Sequence, residues 1–349
     1  MEDKDILYTT VDEQIHKLQT QGLIIDDPVF AREELQRYGY SNLIKSYREP
    51  YIYMENNQKF YRSGVTFEQI HSLYILDKNL RNAVMASMLD LEEYIKEAAA
   101  DVIAAAFGIH QDEYLKFRNY SNKKKHKYRF SLPGILDTLK KALETDKDPI
   151  FHYLNKYGTV PPWILFKGIY FSTIINFINL FKPSEQEALV HKLYTTKHSN
   201  TDYEGLSAFM LDTLFICLEY RNLAAHGGRI YNYNNKSGLR LPQSESIKLH
   251  GFSRLLFLLR TINYPAPYDT LTNALTEQIN NHCKLFPEDV TYLGQILNID
   301  IIPQKIVWVT EHGTAYHKDR HCSGIKNPTE MECSEAEAQG IKPCKRCCK

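Results

Sequence analysis

A chain of 349 residues is longer than the ~100–200 residues of one ordinary domain, so two or three domains are expected. Hydrophobic residues make up 43% and charged residues 24%, with 24 Tyr among the aromatics, which excludes a disordered chain and provides for a sizeable core. Lys+Arg and Asp+Glu number 42 each; zero formal charge excludes a uniformly basic, histone-like nucleic-acid binder but is compatible with a local basic patch. The opening Met1-Glu2-Asp3-Lys4-Asp5-Ile6-Leu7-Tyr8 lacks the basic and apolar regions of a signal peptide, and no apolar run reaches the ~18 residues of a membrane span. A soluble, cytoplasmic protein with no membrane contact is expected.

Helix signals recur up to about residue 260. Thr10-x-x-Glu13 forms a capping box and Gly22 a stop; Asp27-Pro28 is an N-cap followed by Pro at the first helical position, and Gly39 closes that segment. Ile52-Tyr53 and Phe60-Tyr61, separated by Glu55-Asn56-Asn57-Gln58, read as a small hairpin. A second capping box, Thr66-x-x-Gln69, opens a long helical period through Ile70, Leu73, Tyr74, Leu80, Val84, Met88, Leu91 and Ile95. Further helices start near Pro133, after Pro162 and at Pro183, and another spans Gly205 to Ala225; Arg229 to Pro242 is a polar loop, and Leu255 to Ile262 restores an apolar helix. Val307-Trp308-Val309-Thr310 then breaks the helical habit with strand-forming residues. The expected divisions are an N-terminal helical region with a hairpin at 1–65, a helical core at 66–262, a helical linker at 263–304 and a small module at 305–349.

The functional weight falls on Glu219-Tyr220-Arg221-Asn222-Leu223-Ala224-Ala225-His226-Gly227-Gly228-Arg229. Leu206, Phe209, Met210, Thr213, Leu214 and Leu218 form an apolar stripe ahead of it, and Gly227-Gly228 is a C-cap signal, so Arg221 and His226 lie in the last turns of a buried helix. The helix dipole favours an imidazolium there and a neighbouring cation opposes it, a balance that suits acid–base work. Asn222 and His226 share a face, whereas Arg221 and His226 point ~140° apart on a straight helix. Their convergence needs either a helix that loosens at its end or a second copy of the motif from another chain. On spacing alone, an Arg and a capping His serving helix stability is the commoner reading.

Arg221-Asn222-(three residues)-His226 resembles the Arg-polar-x-x-x-His signature of HEPN domains, all-helical ribonucleases. The longer string from Arg221 to Asn232 resembles the C-terminal signature of the Abi-like family, abortive-infection proteins of the D and F type in bacterial phage defence. Gly22-Leu23-Ile24-Ile25-Asp26-Asp27 with Tyr38-Gly39-Tyr40 resembles the family's N-terminal motif. Phe67-Glu68-Gln69-Ile70 to Leu76-Asp77-Lys78-Asn79-Leu80-Arg81 resembles its early helix, and Pro162-Trp163-Ile164-Leu165-Phe166 with Phe171-Ser172-Thr173 its Pro-Trp block. The resemblance spans roughly residues 15–260. Two positions depart from it: Lys96 stands where many members carry Arg, and Lys167 where a Glu often follows the Trp block.

The resemblance implies a mainly α fold, a HEPN-type helical bundle with an N-terminal helical extension. It implies a metal-independent endoribonuclease in which His226 is base or acid, Arg221 stabilises the phosphoryl oxygens and Asn222 orients imidazole or phosphate, with Glu92 a neighbour from the early helix. HEPN sites are usually composite, so a homodimer is implied. F-type relatives are accompanied by a small structured RNA, which implies a cognate non-coding RNA as partner and regulator. The alternative is a non-catalytic RNA-binding module that holds such an RNA in a ribonucleoprotein, with Arg221 and His226 clamping phosphates.

Lys123, Lys124, Lys125, Lys127 and Arg129 form a dense basic run preceded by Tyr114, Phe117 and Tyr120, the combination of phosphate neutralisation and base stacking expected for RNA. A solvated loop is the competing reading. Arg229 joins the run as an RNA-contacting residue. The Tyr-rich stretch Tyr38, Tyr40, Tyr47, Tyr51, Tyr53 and Tyr61 reads as core and hairpin packing.

Five of the seven cysteines lie in the last 28 residues, an odd and clustered set that suits a metal site rather than a disulfide framework. His317, Cys322, Cys344 and Cys347, with a Cys-x-x-Cys half-site, are right for tetrahedral Zn²⁺ of structural type. His321, Cys333 and Cys348 remain alternative ligands. The context from Trp308 to Cys347 resembles Ada-like metal-binding modules appended to nucleases, which implies a small α+β zinc knuckle.

Overall fold

A computed structural model describes residues 8–195, 202–235, 237–241, 250–302, 306–322 and 325–348. Residues 1–7, Pro242 at the end of the polar loop and the 303–305 boundary region lie outside them. The chain divides into two compact units, Met1–Thr276 with Ile296–Asn298, and Glu277–Gln295 with Ile299–Lys349.

The fold is mainly α-helical. In the first unit, α1 (Val11–Thr20) starts at the capping box: Thr10 Oγ1 accepts the Glu13 N–H while the Glu13 carboxylate takes the Thr10 N–H at 2.7 Å. Asp27 Oδ1 accepts the N–H groups of Val29 and Phe30, both at 3.0 Å, and Pro28 stands at the first position of α2 (Pro28–Tyr38). A π-helical turn, Ser41–Lys45, follows. The strands β1 (Ile52–Glu55) and β2 (Gln58–Tyr61) pair antiparallel from Ile52↔Tyr61 to Glu55↔Gln58. Their two-residue turn is Asn56-Asn57, both with positive φ, the conformation that a tight hairpin demands and Asn tolerates.

The central element is α3 (Phe67–Phe107), about 60 Å long at 1.5 Å per residue. Thr66 Oγ1 caps it by accepting the Gln69 N–H at 3.1 Å. Ile70, Leu73, Leu80, Val84, Met88, Leu91 and Ile95 are buried at helical spacing. Shorter helices follow: α4 (Gln111–Tyr114), α5 (Leu132–Ala142), α6 (Ile150–Tyr157), α7 (Pro162–Leu165), α8 (Phe171–Ile178) and α9 (Pro183–Leu193). Next come α10 (Tyr203–Ala225), α11 (Gly251–Thr261), α12 (Ala266–Leu285) and α13 (Val290–Leu297). The helices α3, α8, α9 and α11 all pack against α10. Its buried surface is therefore wider than one stripe: Ser207, Leu211, Ile216, Cys217 and Tyr220 are buried, whereas Leu206 and Leu218 are half-exposed. Among the described residues no helix is long and apolar enough to cross a membrane.

In the second unit β3 (Ile306–Val309) pairs antiparallel with β5 (Thr329–Glu332), and β4 (Ala315–Tyr316) pairs parallel with β6 (Lys342–Pro343). The short α14 (Cys333–Ala338) packs on β3 and β5 over a core of Val307, Val309, Tyr316 and Ala336. Met331, Cys333, Ile341 and Cys348 pack against this cluster, which is a small core for the strand-bearing part of the unit.

Candidate functional site

The helix α10 stays regular to its end. The His226 N–H reaches the Asn222 carbonyl at 3.1 Å, an i→i−4 bond, and His226 itself is the C-cap. The Gly227 N–H bonds the Ala224 carbonyl and the Gly228 N–H the Leu223 carbonyl at 2.9 Å, the paired bonds of a Schellman stop. Gly227 has φ +70°, and a Cβ on Gly228 would lie 2.2 Å from Leu223 Cδ1, so both glycines are required by the geometry of the turn. On this end His226 and Asn222 are exposed and Arg221 is half-buried. Arg221 Nη1 reaches Asn222 Oδ1 at 3.4 Å, a long contact, while its Nε is buried with no hydrogen-bond partner.

The segment after the glycines is held by Asp77, a residue of α3 that is fully buried. Asp77 Oδ1 accepts the Ile230 and Tyr231 N–H groups at 2.8 and 2.7 Å; Oδ2 accepts the Tyr47 hydroxyl and Arg81 Nη1, both at 2.6 Å. Arg81 also donates to the Tyr47 hydroxyl at 3.0 Å, and the Tyr47 ring stacks on Tyr231 at 5.9 Å. Burial pushes the Asp77 carboxyl above its ordinary range, and the Tyr47 hydroxyl, the two N–H groups and Arg81 pull against that rise. Arg229 Nη1 donates to the Ser46 carbonyl at 2.6 Å, so this arginine also ties the segment to the residues after the π-helical turn. Asp77 was visible in the sequence only as part of a family-like string.

Glu92 is ion-paired with Lys96 at 2.7 Å, and both side chains are largely buried. They line a cleft of about 730 Å³ with Trp163, Lys167 and Tyr264. Glu92 lies fifteen residues beyond Asp77 on α3, about 22 Å along the axis. Its described partner is Lys96, not Arg221 or His226. Lys96 and Lys167 thus meet around one cleft.

The basic run is exposed at Lys123, Lys124, Lys127 and Arg129 and half-buried at Lys125. Lys123 Nζ donates to the Asn179 carbonyl at 2.9 Å, and Arg129 lies over the Phe130 ring. Tyr114 and Tyr120 belong to the core, their hydroxyls bonded to the carbonyls of Val160 and Tyr114, so neither is a stacking surface. Phe117 and Tyr128 are the aromatics of this region that remain exposed.

In the second unit the parallel pairing of β4 with β6 continues one step, the Cys344 N–H bonding the Tyr316 carbonyl at 2.8 Å, and this brings His317 beside Cys344. His317 is fixed by reciprocal backbone bonds to Trp308 at 2.7 and 2.8 Å. The donor atoms of His317, Cys322, Cys344 and Cys347 lie within 4.8 Å of one another. Cys322 Sγ is 4.0 Å from Cys344 Sγ, and Cys347 Sγ is 3.6 Å from His317 Nδ1. Tetrahedral donors around a ~2.3 Å metal–sulfur bond are separated by about 3.8 Å for sulfur pairs and about 3.6 Å for sulfur and nitrogen. The set therefore fits a metal ion of that size. Burial works to raise the Cys347 thiol, but the N–H groups of Asp319 and Lys318 and the thiols of Cys322 and Cys344 bring it down to about 6, while burial pushes Cys322 up to about 11. Cys333 instead faces Glu337, His321 is exposed, and Cys348 Sγ donates to the Tyr316 carbonyl at 3.5 Å.

A helical bundle that ends its buried α10 in Arg-Asn-x-x-x-His, pinned by an α3 aspartate, defines the class of protein. The chain belongs to the Abi-like protein family, whose model matches residues 33–232, a span that includes Asp77, Arg81 and the whole segment from Arg221 to Asn232. No curated protein and no solved structure matches it.

Proposed function

We propose that this chain is an abortive-infection effector of HEPN type that cleaves RNA without a metal at the end of α10. The observation that carries the reading is an exposed His226 and, one turn earlier, an Arg221 whose buried Nε has no partner, on a helix end fixed by the Schellman turn and Asp77. Such donors are set for a phosphoryl oxygen. His226 takes the proton of a ribose 2′-OH, the 2′-oxygen attacks phosphorus, and the P–O5′ bond breaks to leave a 2′,3′-cyclic phosphate and a 5′-OH. Because α10 does not loosen, Arg221 and His226 of one chain stay ~140° apart around the axis. A second motif in a homodimer supplies the complementary group and protonates the leaving oxygen. The basic run with Lys123, Lys124, Lys125, Lys127 and Arg129 tracks the backbone of the substrate or of a cognate small RNA that restrains the enzyme.

The second unit is proposed to hold one structural zinc ion on His317, Cys322, Cys344 and Cys347. With four protein donors, the ion supplies cross-linking of a small core rather than an open coordination position.

The test is incubation of the purified chain with labelled RNA in EDTA. Cleavage to 2′,3′-cyclic ends that disappears in His226→Ala and in Arg221→Ala is the expected result. Cleavage that persists in the double variant overturns the assignment, and RNA binding without cleavage moves it to the ribonucleoprotein reading.

A further inference from the structure

A second polar site lies beside the π-helical turn. A cavity of about 580 Å³ opens between the end of α1, the π-helical turn and the β1–β2 hairpin. Lys17, Lys45, Arg48 and Lys59 line it, and no carboxylate does; Lys59 shares its ammonium with Glu49 at 3.2 Å. The four cations come from three separate segments, so their convergence is a product of the fold. Turns of π-helix recur at functional sites because they displace side chains from the regular helical path.

Behind these cations stand donors with nothing to donate to. The Tyr40 and Tyr61 hydroxyls and Arg48 Nε are buried without a hydrogen-bond partner, and Tyr61 is only 4% exposed. Burial raises both phenols above their ordinary range, so they keep their protons at neutral pH. The Arg48 guanidinium lies against both phenols and acts on them by charge and by hydrogen bonding, in a geometry that leaves the Tyr40 and Tyr61 hydroxyls and Arg48 Nε without a well-formed bond. Buried donors left unpaired in a native fold call for an acceptor from outside. Gln21 Oε1, also buried and unpaired, offers one acceptor on the same wall, suited to a hydroxyl. At the hairpin rim Phe60 lines the cavity and packs against Tyr53 at 6.0 Å, with Tyr53 46% exposed, a flat aromatic edge next to the cationic floor.

We propose that this cradle binds a phosphate group of single-stranded RNA, with the Tyr53–Phe60 edge stacking a neighbouring base. Arg48 and the Tyr40 phenol donate to the phosphate oxygens, Lys17 and Lys45 neutralise its charge, and Gln21 accepts from a ribose hydroxyl. The choice of RNA as the source of the phosphate rests on the ribonuclease reading; the anion-binding character of the site does not. The cradle also adjoins the proposed catalytic segment, because Ser46, between Lys45 and Arg48, is the residue whose carbonyl Arg229 holds. A strand bound here would lie on one side of Ser46 and the α10 end on the other.

The test uses the full chain with two probes: inorganic pyrophosphate by thermal shift, and a labelled single-stranded RNA by anisotropy across a salt series. The variants are Lys45→Gln with Arg48→Gln, and Tyr40→Phe, which removes one orphan hydroxyl and leaves the ring packing in place. The paired variant is expected to weaken RNA binding about tenfold or more and to lower the slope of log K against log salt by about 0.7, the share of one phosphate contact. Tyr40→Phe is expected to lose part of the pyrophosphate stabilisation while melting unliganded at or above the wild-type temperature. Cradle variants that bind both probes like the wild type overturn the proposal even if the enzyme cleaves RNA. Pyrophosphate binding that the variants abolish, with RNA binding unchanged, overturns the RNA assignment alone. A wild type that binds RNA through the cradle and never cleaves it sinks the ribonuclease reading and leaves the cradle standing.

Discussion

The Asp77 node and the end of α10 flank the same short segment, Gly227 to Tyr231, and treat polar groups in opposite ways. At Asp77 four donors meet two carboxylate oxygens in the core, and both oxygens are used. At the helix end Arg221 Nε is buried without a partner and the imidazole of His226 is exposed. A satisfied buried network fixes position, and an unsatisfied one at the surface awaits a ligand. The difference separates residues that hold the segment from residues proposed to act at it, and it can be broken by substitution at either end.

The largest expected effect is at the node. Asp77→Ala leaves Arg81, the Tyr47 hydroxyl and two N–H groups without their acceptor, and breaking a buried pair in this way costs ~3–5 kcal/mol. Urea unfolding should show the midpoint falling by the corresponding amount; a loss below ~1 kcal/mol would mean that water or a rearranged Arg81 replaces the carboxylate. Next comes Gly228→Ala, whose Cβ must push Leu223 aside and sits 3.1 Å from its carbonyl, for ~1–3 kcal/mol. Gly227→Ala, at φ +70°, is expected to cost ~1 kcal/mol. Either glycine variant should also lower RNA cleavage, since it moves His226 relative to the node; unchanged cleavage with lowered stability would separate the turn from the chemistry.

These two regions were not equally legible in the sequence. The α10 end was readable because its signal is local: an apolar helix, a Gly-Gly stop and polar residues between them. The metal donors were readable for a similar reason, since Cys-x-x-Cys restricts geometry within one turn. Asp77 was not, because the N–H groups it accepts come from 153 and 154 residues away, beyond any periodicity. Tyr114 and Tyr120 misled in the opposite direction: beside a basic run they read as stacking aromatics, but their hydroxyls find carbonyls inside the core. The apolar stripe of α10 was drawn too narrow because four helices surround it, and sequence period identifies one buried face at a time.

At the helix end itself the expected effect on stability is small. His226→Ala removes an exposed side chain with no role in the Schellman bonds, so its stability should stay within ~0.5 kcal/mol of wild type while cleavage is lost. A variant that melts as readily as Asp77→Ala would place His226 with the holding residues and end the contrast.

The smallest effect is a pH effect, and it belongs to a buried histidine of the helical body. His71 on α3 bonds Glu34 of α2 at 2.7 Å, yet its burial lowers its proton affinity more than the carboxylate restores it. With the folded value below the unfolded ~6.5, the unfolded chain binds more protons in the window between them. Stability is therefore fully present above ~6.5 and falls as pH drops from there to the folded value, below which it levels off. Unfolding at pH 7.5 and pH 5.5 should show this loss in the wild type and a smaller one in His71→Gln. Equal pH dependence in both proteins would assign the acid sensitivity elsewhere.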